Sequence, residues 1–138
     1  DPAITVSSIA RLTELIQLSR GLQPDPYELG RFFLTELSNN WRDNLIQRGQ
    51  LPPTVKVLDV PFRDIVEDST AVINRIYAAR EEAPTSNALA AMQRWEKNNP
   101  ADRHGKHEYS LDRYGLDAAQ VRTSFADYHA VFGALEAR

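Results

Sequence analysis

Leu29, Phe33, Leu37, Trp41 and Leu45 stand four residues apart between Asp25-Pro26 and Gly49, and a row with that period lies along one side of an α-helix. The ends agree with the row. Pro26 suits a first helical position because the opening turn has no use for the N–H it lacks, Asp25 is a capping side chain, and Glu28 complements the positive helix end. Phe32, Leu34 and Ile46 widen the apolar face, and Gly49 after Arg48 supplies the stop.

The same period recurs on both sides of this segment. Ile9, Leu12, Leu15, Ile16 and Leu18 predict a helix from Ser7-Ser8 to Arg20-Gly21. Leu51-Pro52-Pro53 cannot continue a helix, and Thr54 to Val60, with Val55 and Val57 flanking Lys56, suits a short extended segment. Pro61 opens a third helix that would bury Phe62, Ile65, Val66, Val72, Ile73, Ile76 and Tyr77 and end at Ala83-Pro84. Thr85 or Ser86 caps a shorter helix carrying Leu89, Met92 and Trp95, which stops before Asn98-Asn99-Pro100. Residues 99–112 read as a polar loop, and Asp117 caps a last helix with Ala118, Val121, Phe125, Tyr128, Phe132 and Leu135 on its inner face. The expectation is an all-α compact bundle of five to six helices, with at most a short β-ribbon near residues 54–60. It is expected to be one helical domain over 1–138, the ordered core of a longer chain with trimmed terminal arms.

Composition narrows the chemistry. With 42% apolar and 25% charged residues and no apolar run near membrane-span length, the chain reads as globular, and no membrane partner is expected. A net charge of −3 argues against coating nucleic acid by bulk positive charge. The absence of cysteine removes disulfides, thiolate metal sites and thiol nucleophiles together. Thirteen of the sixteen cationic residues are arginine, whose planar fork of donors matches carboxylate or phosphate.

No catalytic set emerges, and no cofactor or metal is expected. His104 and His107 beside Glu108 lack a third ligand and read as a solvated loop with Arg103, Lys106 and Tyr109. His129 reads as a boundary imidazole. There is no Gly-rich phosphate loop and no nucleophile elbow. Asp64, Glu67 and Asp68 fall where they would stabilise a helix N-terminus; the alternative is a repulsive carboxylate cluster across subunits, sensitive to pH or calcium. Arg75 and Arg122 lie beside core positions, so one of them either pairs internally with Asp127 or reaches an anionic ligand that Asp127 helps to orient.

Asp112-Arg113-Tyr114-Gly115-Leu116, followed by Arg122-Thr123-Ser124-Phe125-Ala126-Asp127-Tyr128, resembles the C-terminal core of coat proteins from flexible filamentous, potyvirus-like plant RNA viruses. Pro61 to Glu67 leading to Arg75 resembles the helix that carries an RNA-contacting arginine in that family, and Asn74-Arg75-Ile76 also resembles coat proteins of rigid rods. Ala126 stands where the family pattern has an acidic residue, with Asp127 one place later. The resemblance implies a non-enzymatic capsid subunit in a virion, assembled in host cytoplasm as a helical homopolymer on single-stranded RNA. It further implies that Arg75, Arg113 and Arg122 contact phosphates without reading sequence, with Asp127 beside them. The alternative is a helical protein-interaction module, an effector or adaptor domain, that binds no nucleic acid.

Overall fold

The computed structural model describes residues 1–100 and 110–136. Its helices are α1 (Pro2–Ser19), α2 (Pro26–Gly49), α3 (Phe62–Glu67), α4 (Ser69–Ala79), α5 (Ser86–Asn98), α6 (Ala118–Ser124) and α7 (Ala126–Glu136), with a 3-10 turn at Asp112–Tyr114. The all-α class is as expected, and no strand occurs among the described residues, so residues 54–60 form no ribbon.

Local chemistry accounts for the helix ends. Asp25 caps α2 by accepting from the Tyr27 N–H at 2.8 Å, and Asp117 caps α6 in a reciprocal box with Gln120, at 2.8 and 2.9 Å. Asp1 does the same for α1, accepting from the Ala3 N–H at 2.8 Å, so α1 starts well before Ser7-Ser8. Ser7 lies inside the helix and donates back to the Ala3 carbonyl at 2.8 Å. Seven α-helices occur among the described residues, because two expected helices are each divided in two. Asp68 leaves helical geometry with φ −152° and caps α4 through Ala71 N–H at 2.8 Å, which divides α3 from α4. Phe125 separates α6 from α7.

The chain divides into two compact units: Asp1–Leu51 with Glu108–Arg138, and Pro52–His107. In the first, α1 packs on α2, and α6 and the 3-10 turn pack on both or on α2. Val6, Ala10, Leu29, Tyr114, Leu116, Val121 and Phe125 form its core, bordered by Phe33, Leu34, Leu37, Trp41 and Tyr128. Trp41 meets Tyr128 edge-on at 5.0 Å between ring centroids. In the second unit, Val72 of α4 is buried, while Phe62 is 76% exposed and Val66 and Ile76 also face outward, contrary to the expected inner face. Ser69 donates to Glu96 at 2.9 Å, tying α4 to α5.

Two glycines permit the close approach of the 3-10 turn to α2. Gly115 has φ +65°, a left-handed conformation that closes the turn through its N–H to Asp112 at 3.0 Å, and a Cβ there would lie 2.4 Å from the Tyr27 ring. A Cβ at Gly30 would lie 2.1 Å from the Tyr114 carbonyl oxygen, which is backbone and cannot rotate aside. Gly30→Ala should therefore cost roughly 1–3 kcal/mol in a urea melt followed by far-UV circular dichroism. Gly49→Ala, where nothing lies within 4 Å of the added methyl, should show no loss. Equal melts for the two variants would remove the close-packing account of Gly30.

Candidate functional site

Val6, Ala10 and Glu14 follow one another at four-residue spacing, so the carboxylate lies on the stripe of α1 that faces the core. Its side chain is 3% exposed. A buried carboxylate needs donors, and the 3-10 turn delivers them. Arg113 donates from Nε to Glu14 Oε2 at 3.1 Å and from Nη2 to Oε1 at 2.5 Å, a bidentate fork. Tyr114 Oη donates to Oε2 at 3.0 Å, and Arg11 Nη1, one turn back along α1, donates to the same oxygen at 2.8 Å.

The electrostatics follow from this crowding. The hydrogen bond from Arg113 pulls the Glu14 carboxyl down to about 2; burial pushes the other way, and Arg11 and Tyr114 add to the lowering. Arg113 is raised in turn, first by its hydrogen bond to Glu14. Burial, then the bond to Glu14, pushes the Tyr114 hydroxyl up. So acidic a carboxylate, engaged by three side-chain donors on Oε2 and by Arg113 on Oε1, is a poor general base, since proton transfer near neutral pH calls for a pKa close to the working pH. It is a positioning anion. Its effect is to hold the Arg-Tyr-Gly-Leu turn on α1.

The residues expected on RNA have these places. Arg113 is half exposed but committed to Glu14. Arg75, in the second unit, donates to Asp64 at 2.7 Å and to the Asp59 carbonyl at 3.4 Å, so its partner is Asp64, not Asp127. Asp127 accepts from Arg42 Nε at 3.3 Å, on α2. Arg122 is exposed on α6. Arg75 thus belongs to one unit, and Arg113, Arg122 and Asp127 belong to the other. Asp64, Glu67 and Asp68 likewise have separate duties, with Arg75, with Arg63 at 3.9 Å, and as the α4 cap, and no metal-binding group of acidic or histidine side chains occurs among the described residues. His129 rests against the Tyr128 ring at 5.5 Å. Arg103, His104, Lys106, His107, Glu108 and Tyr109 lie outside the described residues.

Glu14 is the residue that sequence reasoning missed. A glutamate in register with Val6 and Ala10, four residues apart each time, was the available signal.

No protein-family model and no curated protein matches the chain. Among solved structures, the crystal structure of sulfotransferase STF9 from Mycobacterium avium is similar to it, with a TM-score of 0.80 and 26% identity over 96% of this chain. The match takes in 34% of that protein, so the chain spans about a third of its length. This likeness overturns the expectation of a coat-protein subunit and that of a non-enzymatic protein, and it lends nothing to the adaptor alternative. The physical reason the coat motif misled is visible in the turn: Arg113, Tyr114, Gly115 and Leu116 are a saturated ion pair, a buried hydroxyl, a left-handed glycine and a core leucine. Each of the four has a duty within the fold.

Glu14 has a lower pKa folded than its ordinary 4.5, so its contribution to stability is fully present above about pH 4.5 and is lost as pH falls toward 2. Glu14→Gln keeps the shape and removes the charge, and should cost roughly 2–4 kcal/mol at pH 7. The gap between the two proteins should shrink in melts taken at successively lower pH from 5 to 3, within the window the shift defines. A constant gap would mean that Glu14 acts through packing and not through charge.

Proposed function

We propose that this chain is the helical part of a sulfotransferase-type enzyme. The observation that carries the reading is the match to the mycobacterial sulfotransferase, at 26% identity across 96% of the chain. A sulfotransferase breaks the bond between a sulfo group and its donor oxygen, forms a new one to an acceptor heteroatom, and releases the acceptor's proton. In this reading the Glu14 cluster supplies scaffold: it fixes the turn after Ser110 to α1 and orders the segment on which that part of the enzyme is built. The arginine bias fits as well, because a sulfo group and an activated sulfate donor are anions, although Arg113 and Arg75 are spent on carboxylates.

The test is transfer itself. The protein as its source encodes it, folded by circular dichroism, should move a radiolabelled sulfo group from an activated-sulfate donor to hydroxyl-bearing acceptors, assayed on an alcohol, a phenol and a carbohydrate. Glu14→Gln should reduce the labelled product in proportion to the folded protein lost, since Glu14 positions the fold and does not touch the reacting atoms. Folded wild-type protein that labels none of the acceptors would overturn the reading.

A further inference from the structure

Residues 2–19 form α1, and Arg11 and Glu14 are the charged side chains it contains; both belong to the Glu14 cluster. Glu14 is buried, and Arg11, with its side chain 41% exposed, is tied to it at 2.8 Å. Its inner stripe is Val6, Ala10 and Glu14. The opposite half carries Ile4, Leu12, Leu15, Ile16 and Leu18, every one of them exposed, with Leu12 at 58%. At 100° per residue these five fan across nearly half of the helix circumference, with the small, uncharged Thr5, Ser8 and Ser19 among them and Arg11, bound to Glu14, between Leu18 and Ile4 near one edge. A helix on the outside of a globular protein shows a polar outer face, and one that is apolar all round is buried. A contiguous apolar face of this kind marks an interface.

We propose that the outer face of α1 is a docking surface for the catalytic remainder of a sulfotransferase-type polypeptide. This rests on the functional reading above, and it names which surface of the chain joins the rest. The extent of the structural match selects the occupant: the chain corresponds to 34% of the mycobacterial protein, so about two thirds of that protein lies outside the matched part and is large enough to cover an eighteen-residue helix. The chemistry of the face agrees. With Arg11 paired to Glu14, the face offers shape and apolar area, the character of permanent interfaces, which are more hydrophobic than transient ones.

The chain has no cysteine, so Leu12→Cys introduces a single thiol into it at the middle of the face. The measurement is the rate at which this thiol reacts with a maleimide, located by peptide mass spectrometry, in the protein as its source encodes it, relative to the same protein unfolded in urea. The expected result is a slowing of at least about tenfold that persists on dilution. A rate near the urea value would overturn the proposal. Protection that fades on dilution would assign the face to a second copy, and equal protection in the isolated 138-residue chain would place the cover within the chain itself; either result overturns it. Sulfo transfer assayed on the same preparation separates the two readings. Transfer by a protein whose Leu12→Cys thiol is fully reactive would sink the docking surface and leave the enzyme, whereas a protected thiol in a folded protein that transfers nothing would sink the enzyme.

Discussion

A single carboxylate organises the first unit. Glu14 enters the core on the same stripe as Val6 and Ala10, where a leucine would have cost nothing to bury, and it has to be met there by donors or not fold at all. Arg11 is one turn away, but Arg113 and Tyr114 come from about a hundred residues away in sequence. Because the guanidinium and the phenol reach the carboxylate together, the turn at Asp112–Tyr114 can sit on α1 and α2 in one register. The rest follows from that register: Gly30 must lack a side chain because the Tyr114 carbonyl lies against it, Gly115 must be left-handed to turn the chain past Tyr27, and Leu116 then drops into the core ahead of the α6 cap. An apolar core of this size could be assembled in several ways. The ion pair excludes those in which Arg113 and Tyr114 miss Glu14, which is a gain in specificity more than in net energy.

Much of the fold is legible in the residues, and the limits have physical causes. Asp25-Pro26 and Asp117 announce the starts of α2 and α6 because capping is a local interaction, completed within three residues. The split at Asp68 is just as local, yet the apolar period runs through it, so the third and fourth helices look continuous until the Asp68 side chain is seen to cap α4. Register across long separations is not legible in this way. Nothing near Arg113 indicates a carboxylate at position 14, and a motif of four residues that serves packing is indistinguishable in one dimension from one that serves a ligand. The candidate site was legible to that extent: Arg113 and Arg75 stand out in the sequence, but their partners, Glu14 and Asp64, are properties of the fold.

The apolar periodicity also overstated what this chain buries by itself. Leu12, Leu15, Ile16 and Leu18 obey the helical period as well as Val6 and Ala10 do, but they face outward, and Phe62, Val66 and Trp95 do the same in the second unit. Periodicity reports that a side chain avoids water somewhere in the finished molecule; it does not report which element covers it. In the function proposed above, a chain matching about a third of a larger protein would contain both kinds of apolar face, one satisfied within itself and one directed outward.

The arginines illustrate the same ambiguity in charge. Arg11 and Arg113 converge on Glu14, Arg75 holds Asp64, Arg42 holds Asp127, Arg31 holds Glu28 and Arg80 holds Glu82. Most of these pairs are exposed, and an exposed pair contributes about 0–1 kcal/mol. The Glu14 pair differs because water is excluded from the carboxylate, so the fork's second hydrogen bond has no solvent substitute. In a chain with nineteen acidic residues against sixteen basic ones, an arginine is more readily answered by a carboxylate of the same molecule than by a phosphate brought from outside. Arginine content therefore says that bidentate anion recognition is in use. Whether the anion is internal is decided by the fold.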